Sequence, residues 1–484
     1  MTDGVGLQRA RTAIVLLVAA LALLSVWIVN GRPLFYYDTA AYVKQGQAAL
    51  AQLGLIHLPE AAAGDGTGGA TVAKATVDGS RSPVFSVLAG GFAAMGAIGG
   101  LLVPDLLALL LMVGLAVRVI RRTWMRGASG LRLGGLALIV ASLGSLPFYV
   151  AYLMPDLLTP VLILAVAALA IFGSRMGPWE LVLGYLLASF ATVVHLSHLP
   201  IAILAVGAGV VLAWFIGRRG WWKGPAVLVL VLLTAFAQQA AFRAVAAKAA
   251  HAEVTILPFL TARLIQDGPG QTWLAARCPD AGVATCLLWA ELQKSDDPYR
   301  LTASHIVFEK GERLGSFQHL SEADRAAVSR DQIAFAKSVV RAYPFAVAGA
   351  FLHNVGLQFT RVSVVMTLPS DTVVGANTSV TEAMGGPLAI GRLGWPAPWA
   401  DPLTRAQSAL YAAALGFVLA LVVLPGALPR EMRLFVLMIL AGILANAAVC
   451  GGISQPSDRY GSRVIWLLPF TAVLAGGVAS RRDP

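Results

Sequence analysis

Charge is what this chain has least of. Only 13% of its residues are Asp, Glu, Lys or Arg, about half the share in a typical soluble domain. Hydrophobic residues make up 57% and the mean hydropathy is +0.74. A soluble core could not hide that much apolar surface, so the composition excludes a soluble globular protein and implies a polytopic membrane protein. The marks of common soluble enzymes are also missing: there is no Walker lysine motif, no Gly-x-Ser-x-Gly elbow and no His-Glu-x-x-His helix. The glycine-rich stretch Gly64-Asp65-Gly66-Thr67-Gly68-Gly69 follows no strand. It reads as a flexible linker, and a nucleotide site is not expected there. Cysteine is scarce, with three in 484 residues. Cys278 and Cys286 bracket a short polar loop, where an oxidising compartment would favour a disulfide over two free thiols. Cys450 lies in an apolar run and reads as packing.

What charge there is leans basic, with a net +11 and a pI near 9.9. The basic residues fall mainly in short loops between apolar spans, which is how membrane topology is encoded, so nucleic acid is not an expected partner. Arg9 and Arg11 precede the first span. Later groups are Arg118, Arg121, Arg122, Arg126 and Arg132; Arg175; Arg218, Arg219 and Lys223; Arg430 and Arg433; and Arg481 and Arg482. Placing each on the cytoplasmic side gives about ten spans, at 12–30, 102–120, 132–153, 157–174, 178–196, 200–217, 224–243, 404–425, 434–452 and 463–480, with both termini cytoplasmic. The first span has no small-residue cleavage site before Arg32-Pro33 and reads as a retained helix. Two further apolar stretches, 83–99 and 345–366, break this alternation if they cross. They are expected to lie along the outer surface or to dip in and return.

The expected fold is thus all-α and polytopic, with interfacial helices and a mostly helical external segment. Residues 1–243 form an N-terminal membrane module with an external loop at 31–101. Residues 244–403 form the external segment, and 404–484 the closing membrane helices. Within the external segment, Phe259 to Gly270 reads as a short amphipathic helix carrying Arg263. Glu322 to Tyr343 reads as a second helix with Ser321 as N-cap. His353, Asn354, Gln358 and Arg361 form a polar stripe that suits either a substrate groove or the solvent side of an interfacial helix.

Ionisable residues near membrane depth are costly to place and are functional candidates. Asp38 follows the first span among the aromatics Phe35, Tyr36, Tyr37 and Tyr42, at the level where aromatic rings settle and lipid head groups sit. Arg81, Asp105, Asp156, His195, His198, Asp458, Arg459 and Arg463 all fall at the same ends of their spans. Separate hairpins therefore deliver acids, imidazoles and guanidiniums to one membrane face. Plainer readings stand beside these. Asp156 suits an N-cap, and Asp105 a first-turn acid complementing the helix dipole. His195 and His198, three apart, suit satisfied interfacial histidines better than a metal pair, and Asp458 with Arg459 suits a surface ion pair.

An acid-bearing loop after the first helix, followed by a segment rich in proline and aromatics, resembles the GT-C membrane glycosyltransferases, among them the protein O-mannosyltransferases and lipid A aminoarabinose transferases. Tyr37-Asp38-Thr39-Ala40-Ala41-Tyr42 is similar to the aspartate motif, Arg81-Ser82-Pro83-Val84-Phe85 to the segment that follows, and Asp458-Arg459-Tyr460 before Leu467-Leu468-Pro469-Phe470 to the closing signature. The chain departs from the pattern in presenting a single motif acid, and in carrying His198-Leu199-Pro200 where an Arg-Pro pair often stands. The resemblance implies Asp38 as the catalytic residue. Substrate contacts are expected from Tyr37, Tyr42, Arg81, Asp156, His195, His198, Arg459 and Arg463, which lie near the same helix ends.

The function expected from these features is transfer of a sugar from a polyprenyl-phosphate donor, entering from the lipid bilayer, to a glycan, lipid or protein acceptor. The reaction would occur on the periplasmic face of a bacterial inner membrane. No metal ligand set is evident, although a divalent metal would be compatible with the chemistry. The alternatives are a transporter or flippase of a lipid-linked glycan, or a polymerase or ligase of surface polysaccharide.

Overall fold

The computed structural model describes residues 2–57, 76–249, 251–383 and 388–481; the glycine-rich 64–69 stretch lies outside them. Among the described residues, seven helices are long and apolar enough to cross a membrane: Gln8–Asn30, Ile98–Trp124, Pro155–Arg175, Lys223–Ala249, Ala400–Val423, Arg430–Ser454 and Asp458–Ala479. Three more of the expected spans are present as shorter apolar helices, Gly130–Ser142, Pro178–Val193 and His198–Trp214. The chain is an all-α polytopic membrane protein.

Burial sorts these helices. Every residue from Leu158 to Phe172 is buried, so this helix is the hub. The helices ending in Val193, Trp214 and Ala447 pack around it. Gln8–Asn30, Lys223–Ala249 and Ala400–Val423 lie at the rim, and their apolar windows are mostly exposed. A helix apolar on all sides needs either protein or lipid around it, so the rim helices are the lipid-facing ones.

The structure corrects two expectations. The span placed at 132–153 is not one helix. It stops at Ser142, turns, and resumes as Leu146–Val150. Pro147 cannot donate to a continuing helix, and the Ser145 backbone N–H is taken by the Tyr411 hydroxyl at 2.9 Å. The last span begins at Asp458 rather than 463. This moves Asp458, Arg459 and Arg463 from a loop onto the first two turns of a helix. The stretch 83–99 forms the helix Pro83–Ala94 and then a tight turn of helix, Ile98–Leu101, that leads straight into the next span. At ~1.5 Å per residue the first of these reaches only about 18 Å, too short to cross. The stretch 345–366 holds the helix Pro344–Thr360. It lays its Asn354–Gln358 side on the widened turn Ala448–Ser454 and exposes Phe345 and Leu352.

Two local features aim the first loop. The helix Tyr37–Gln52 crosses Pro83–Ala94 at backbone contact. A Cβ on Gly46 would fall 1.7 Å from the Ser86 carbonyl oxygen, and one on Gly90 would fall 2.5 Å from the Gln47 nitrogen. Only glycine allows that approach, and it fixes Asp38, at the start of one helix, beside Arg81, just before the other. A short parallel ribbon then pairs Thr76–Asp78 with Glu253–Thr255, and Ser80 Oγ accepts from Leu257 N at 2.8 Å. This ties the loop to a second hydrophobic core built on Leu264, Leu274, Leu288, Ile306, Phe317, Val328 and Phe335. Cys278 and Cys286 are joined by a disulfide with an S–S distance of 2.08 Å. The helix Glu322–Ala342 starts on Ser321, whose Oγ accepts from Asp324 N at 3.1 Å.

Candidate functional site

Four segments far apart in sequence supply one cluster. Asp38 sits in the first turn of Tyr37–Gln52. Arg81 stands one residue before Ser82, whose hydroxyl caps Pro83–Ala94 and donates to the Val193 carbonyl at 2.6 Å. Asp156 lies in the first turn of the buried hub. Arg459 and Arg463 are four apart on Asp458–Ile465 and therefore share one face.

The charged groups form a chain. Arg463 donates to Asp156 Oδ1 at 3.2 Å. Arg459 grips Asp156 with both forks, Nε to Oδ1 at 3.1 Å and Nη2 to Oδ2 at 2.7 Å. The third nitrogen of Arg459 donates to Asp38 Oδ2 at 3.3 Å. Arg81 donates to Asp38 Oδ1 at 2.8 Å and, with its other Nη, to Asp78 Oδ2 at 2.7 Å. Three carboxylates thus balance three guanidiniums. Bidentate pairing of this kind is stronger and more directional than a point-charge contact.

Exposure falls along the chain. The Asp38 side chain is 31% exposed and that of Arg81 19%, against 4% for Arg459 and none for Arg463 or Asp156. Asp78, at 39%, reaches the surface with Asp38 and Arg81, and Asp156 and Arg463 lie beneath them. Aromatic rings enclose the deep end. The Arg459 guanidinium lies 4.7 Å from the Tyr36 ring centre and 5.9 Å from those of Tyr152 and Tyr460, while Arg463 lies 5.0 Å from that of Tyr460. Such stacking favours the cation in a desolvated setting. Burial pushes the Tyr36 hydroxyl up to about 12, with Arg459 pulling the other way. Burial also pulls the Arg81 guanidinium down, but Asp38 and Asp78 outweigh it and raise it above the ordinary arginine value.

The remaining expected residues divide. Tyr37 is exposed and its hydroxyl bonds Thr372 Oγ1 at 2.8 Å. Tyr42 is buried edge-on against Phe85, with ring centres 5.0 Å apart, and serves the helix crossing rather than the surface. His198 is fully buried, with Nε2 on Thr159 Oγ1 at 2.7 Å and Nδ1 on the Ala191 carbonyl at 2.5 Å. Its ring lies 5.1 Å from that of His195, and His195 Nδ1 is engaged with Ser197 Oγ at 2.9 Å. Both His198 nitrogens are therefore committed, and the pair does not fit a shared metal ligand role. Among the described residues no group of three His, Cys, Asp or Glu could hold a metal ion. His195 keeps some surface exposure, yet burial pushes its imidazole down to about 3, further than the pull of Asp156 raises it.

Other expectations are revised by partners. Asp156 caps nothing, because both oxygens are spent on arginines. Asp458 does not pair with Arg459; it accepts from Ser363 N at 3.1 Å. Asp105 is buried in the first turn of its helix, with Oδ1 unpartnered. The polar stripe splits: Asn354 donates to both oxygens of Asp267 at 3.0 Å, and Gln358 exchanges two bonds with the Ser457 backbone, while His353 and Arg361 face outward. Arg263 is buried against Asp267, away from the cluster.

Several members escaped the sequence reading. Asp78 is a second acid on Arg81, where a single motif acid was expected. Asn446 accepts from Arg463 Nη2 at 2.9 Å. Asn377 accepts from Ala40 N at 2.8 Å and donates to the Tyr36 carbonyl at 3.0 Å, which steadies the turn before Asp38. A narrow crevice also runs from Arg81 past His195 to Gln238 and Gln239 on the rim helix Lys223–Ala249. Asn446 and the two glutamines interrupt apolar spans, and that interruption is the signal that marks them.

No protein-family model and no curated protein sequence matches the chain. Two solved structures are similar in overall course, both of ArnT from Cupriavidus metallidurans. One is in the apo state, with a TM-score of 0.33; the other is bound to undecaprenyl phosphate, with a TM-score of 0.31. Each is 13% identical, over 98% of this chain and 78% of the other. A likeness this distant settles neither family nor activity, and the functional reading rests on the cluster itself.

Proposed function

We propose that the protein is a membrane glycosyltransferase that moves a sugar from a polyprenyl-phosphate donor to a hydroxyl acceptor, at the membrane face where Asp38 lies. The observation that carries this reading is the convergence of Asp38 and Arg81 at the surface of a cluster whose deeper members hold them in place. The acceptor hydroxyl gives its proton to Asp38 as its oxygen bonds the anomeric carbon. The bond from that carbon to the phosphate oxygen breaks in the same displacement, with inversion. The electron pair leaves on the lipid phosphate, where Arg81 stabilises the growing charge and Arg459, held against Asp156 and Asp38, adds its field from beneath. Arg81 has donors to spare for this, since each of its Nη nitrogens carries a second N–H beyond the one given to Asp78 or Asp38.

The buried residues act by positioning. Asp156 holds Arg459, and Arg463, itself held by Asn446, holds Asp156 from the other side. Tyr37 and the crevice past His195 to Gln238 and Gln239 offer polar contacts beside Arg81, next to a lipid-facing helix from which a polyprenyl chain can enter. Transfer is favoured over transport because the charged groups gather at the ends of their helices. A transporter places its site near the midplane, between repeats.

The test is transfer by purified protein in lipid vesicles from a polyprenyl-phosphate sugar to an alcohol acceptor. Asp38→Asn should lower the rate at least about a hundredfold, with an unchanged melting temperature. Full activity in that variant ends the mechanism.

A further inference from the structure

Another opening lies at the far end of the helices. From Arg9 to Asn30 the first helix runs about 32 Å at 1.5 Å per residue, so its early turns stand on the membrane face opposite Asp38. There it, the last turns of Ile98–Trp124 and the loop that follows border an open groove of about 540 Å³. Arg9, Arg121, Thr12 and Ser129 line its polar part, and Ala13 and Leu16 line its apolar part. The loop turns through Gly127 at φ +90°. Arg121 lays its stem across Gly130, where a Cβ would come within 3.1 Å of Arg121 Cδ. Lower down, the first helix is held against Gly130–Ser142, where Gly135 meets Val15.

The charge in this groove is unbalanced; nearby Arg11, Arg126 and Arg132 likewise have no carboxylate partner among the described residues, whereas three other arginines of this face do. Arg118 and Arg122 share Glu180, and Arg175 pairs with Glu431. Arg9 and Arg121 have no carboxylate partner among the described residues, and no acid lines the groove. Ser129 Oγ accepts from Arg132 N, which leaves its O–H to donate. Two guanidiniums and a hydroxyl therefore stand above an apolar strip that continues down an exposed helix face, since Ile14 and Leu17 beside it are more than half exposed.

We infer that this groove binds one anionic phospholipid, with the phosphate between Arg9 and Arg121 and an acyl chain along Ala13 and Leu16. The chemistry is that of a basic pocket between membrane helices, which selects anionic head groups. The acyl strip selects a lipid over a free phosphate. The bound lipid fastens the first helix, otherwise mostly exposed, to the loop at 127–129. The site is independent of the transfer reaction.

The test is native mass spectrometry of the purified full-length protein with phosphatidylglycerol or phosphatidylcholine. Arg9→Gln with Arg121→Gln should lower retained phosphatidylglycerol at least about fivefold and leave phosphatidylcholine unchanged. Arg218→Gln with Arg219→Gln removes the same charge from an exposed loop and should change neither. Ala13→Trp fills the apolar strip without altering charge; it should also displace the lipid, and it gives the answer if the double arginine variant does not fold. The inference is overturned if the double variant keeps its lipid, if the control pair loses as much, or if sn-glycerol 1-phosphate competes at the same concentration as the lipid.

Discussion

Two buried carboxylates in this protein are each gripped by two arginines, and they do different work. At one membrane face Glu180 is fully buried, yet Arg118 and Arg122 reach it with side chains 53% and 39% exposed. Glu180 also accepts from Gly177 N at 2.8 Å and so closes the start of its own helix. At the other face Asp156 is equally buried, but Arg459 and Arg463 are buried with it. There Arg459 has a third contact, to Asp38, which reaches the surface. The first cluster ends in solvent-reaching cations and is a clamp. The second passes a buried charge outward to an exposed acid, and that directed link distinguishes a site from a staple. Desolvated arginines are costly without their partner, so the second arrangement is held only where something requires Arg459 at that spot.

The comparison breaks most sharply on the acids. Asp156→Ala strands two buried guanidiniums and should cost about 3–5 kcal/mol, read as a large fall in melting temperature in detergent. Glu180→Ala lets Arg118 and Arg122 turn to solvent and should cost only about 1 kcal/mol. Equal losses for the two would contradict the division. Arg81→Lys keeps a charge but loses the fork that spans Asp38 and Asp78. It should slow transfer by about tenfold or more, with little change in stability, and a variant as fast as the parent would leave the fork without a role.

The smallest effect concerns pH. The His195 imidazole is held near 3, below its unfolded value of 6.5. The unfolded chain therefore binds more protons between those limits, and the contribution to stability, full above pH 6.5, falls as pH drops toward 3. His195→Asn should lose less melting temperature than the parent between pH 7 and pH 5. Parallel curves would show that the ring is not kept neutral.

Much of this was legible in the sequence. Long apolar runs and arginine-bearing loops placed the helices, because hydrophobic length and charge act locally. Asp38, Arg81, Asp156, Arg459 and Arg463 stood out as ionisable residues at one set of helix ends. What could not be read was their order in depth. Whether Arg463 meets substrate or lies beneath Asp156 depends on helix packing. Two residues four apart on one helix, Arg459 and Arg463, differ only in which neighbour covers them. Asp78 was missed because a short ribbon with Glu253–Thr255, about 175 residues further on, brings it to Arg81; nothing in its own neighbourhood announces that pairing. The residues that mark the break after Ser142 are Gly144, Ser145 and Pro147, and the apolar run that continues through them hid it.

The most direct measurement is a cryo-EM structure of the protein with a polyprenyl phosphate bound. The account predicts the phosphate within hydrogen-bond distance of Arg81, with Asp38 beside it and the prenyl chain leaving toward Lys223–Ala249. A phosphate bound away from Arg81 and Asp38, with their ion pair untouched, would contradict it.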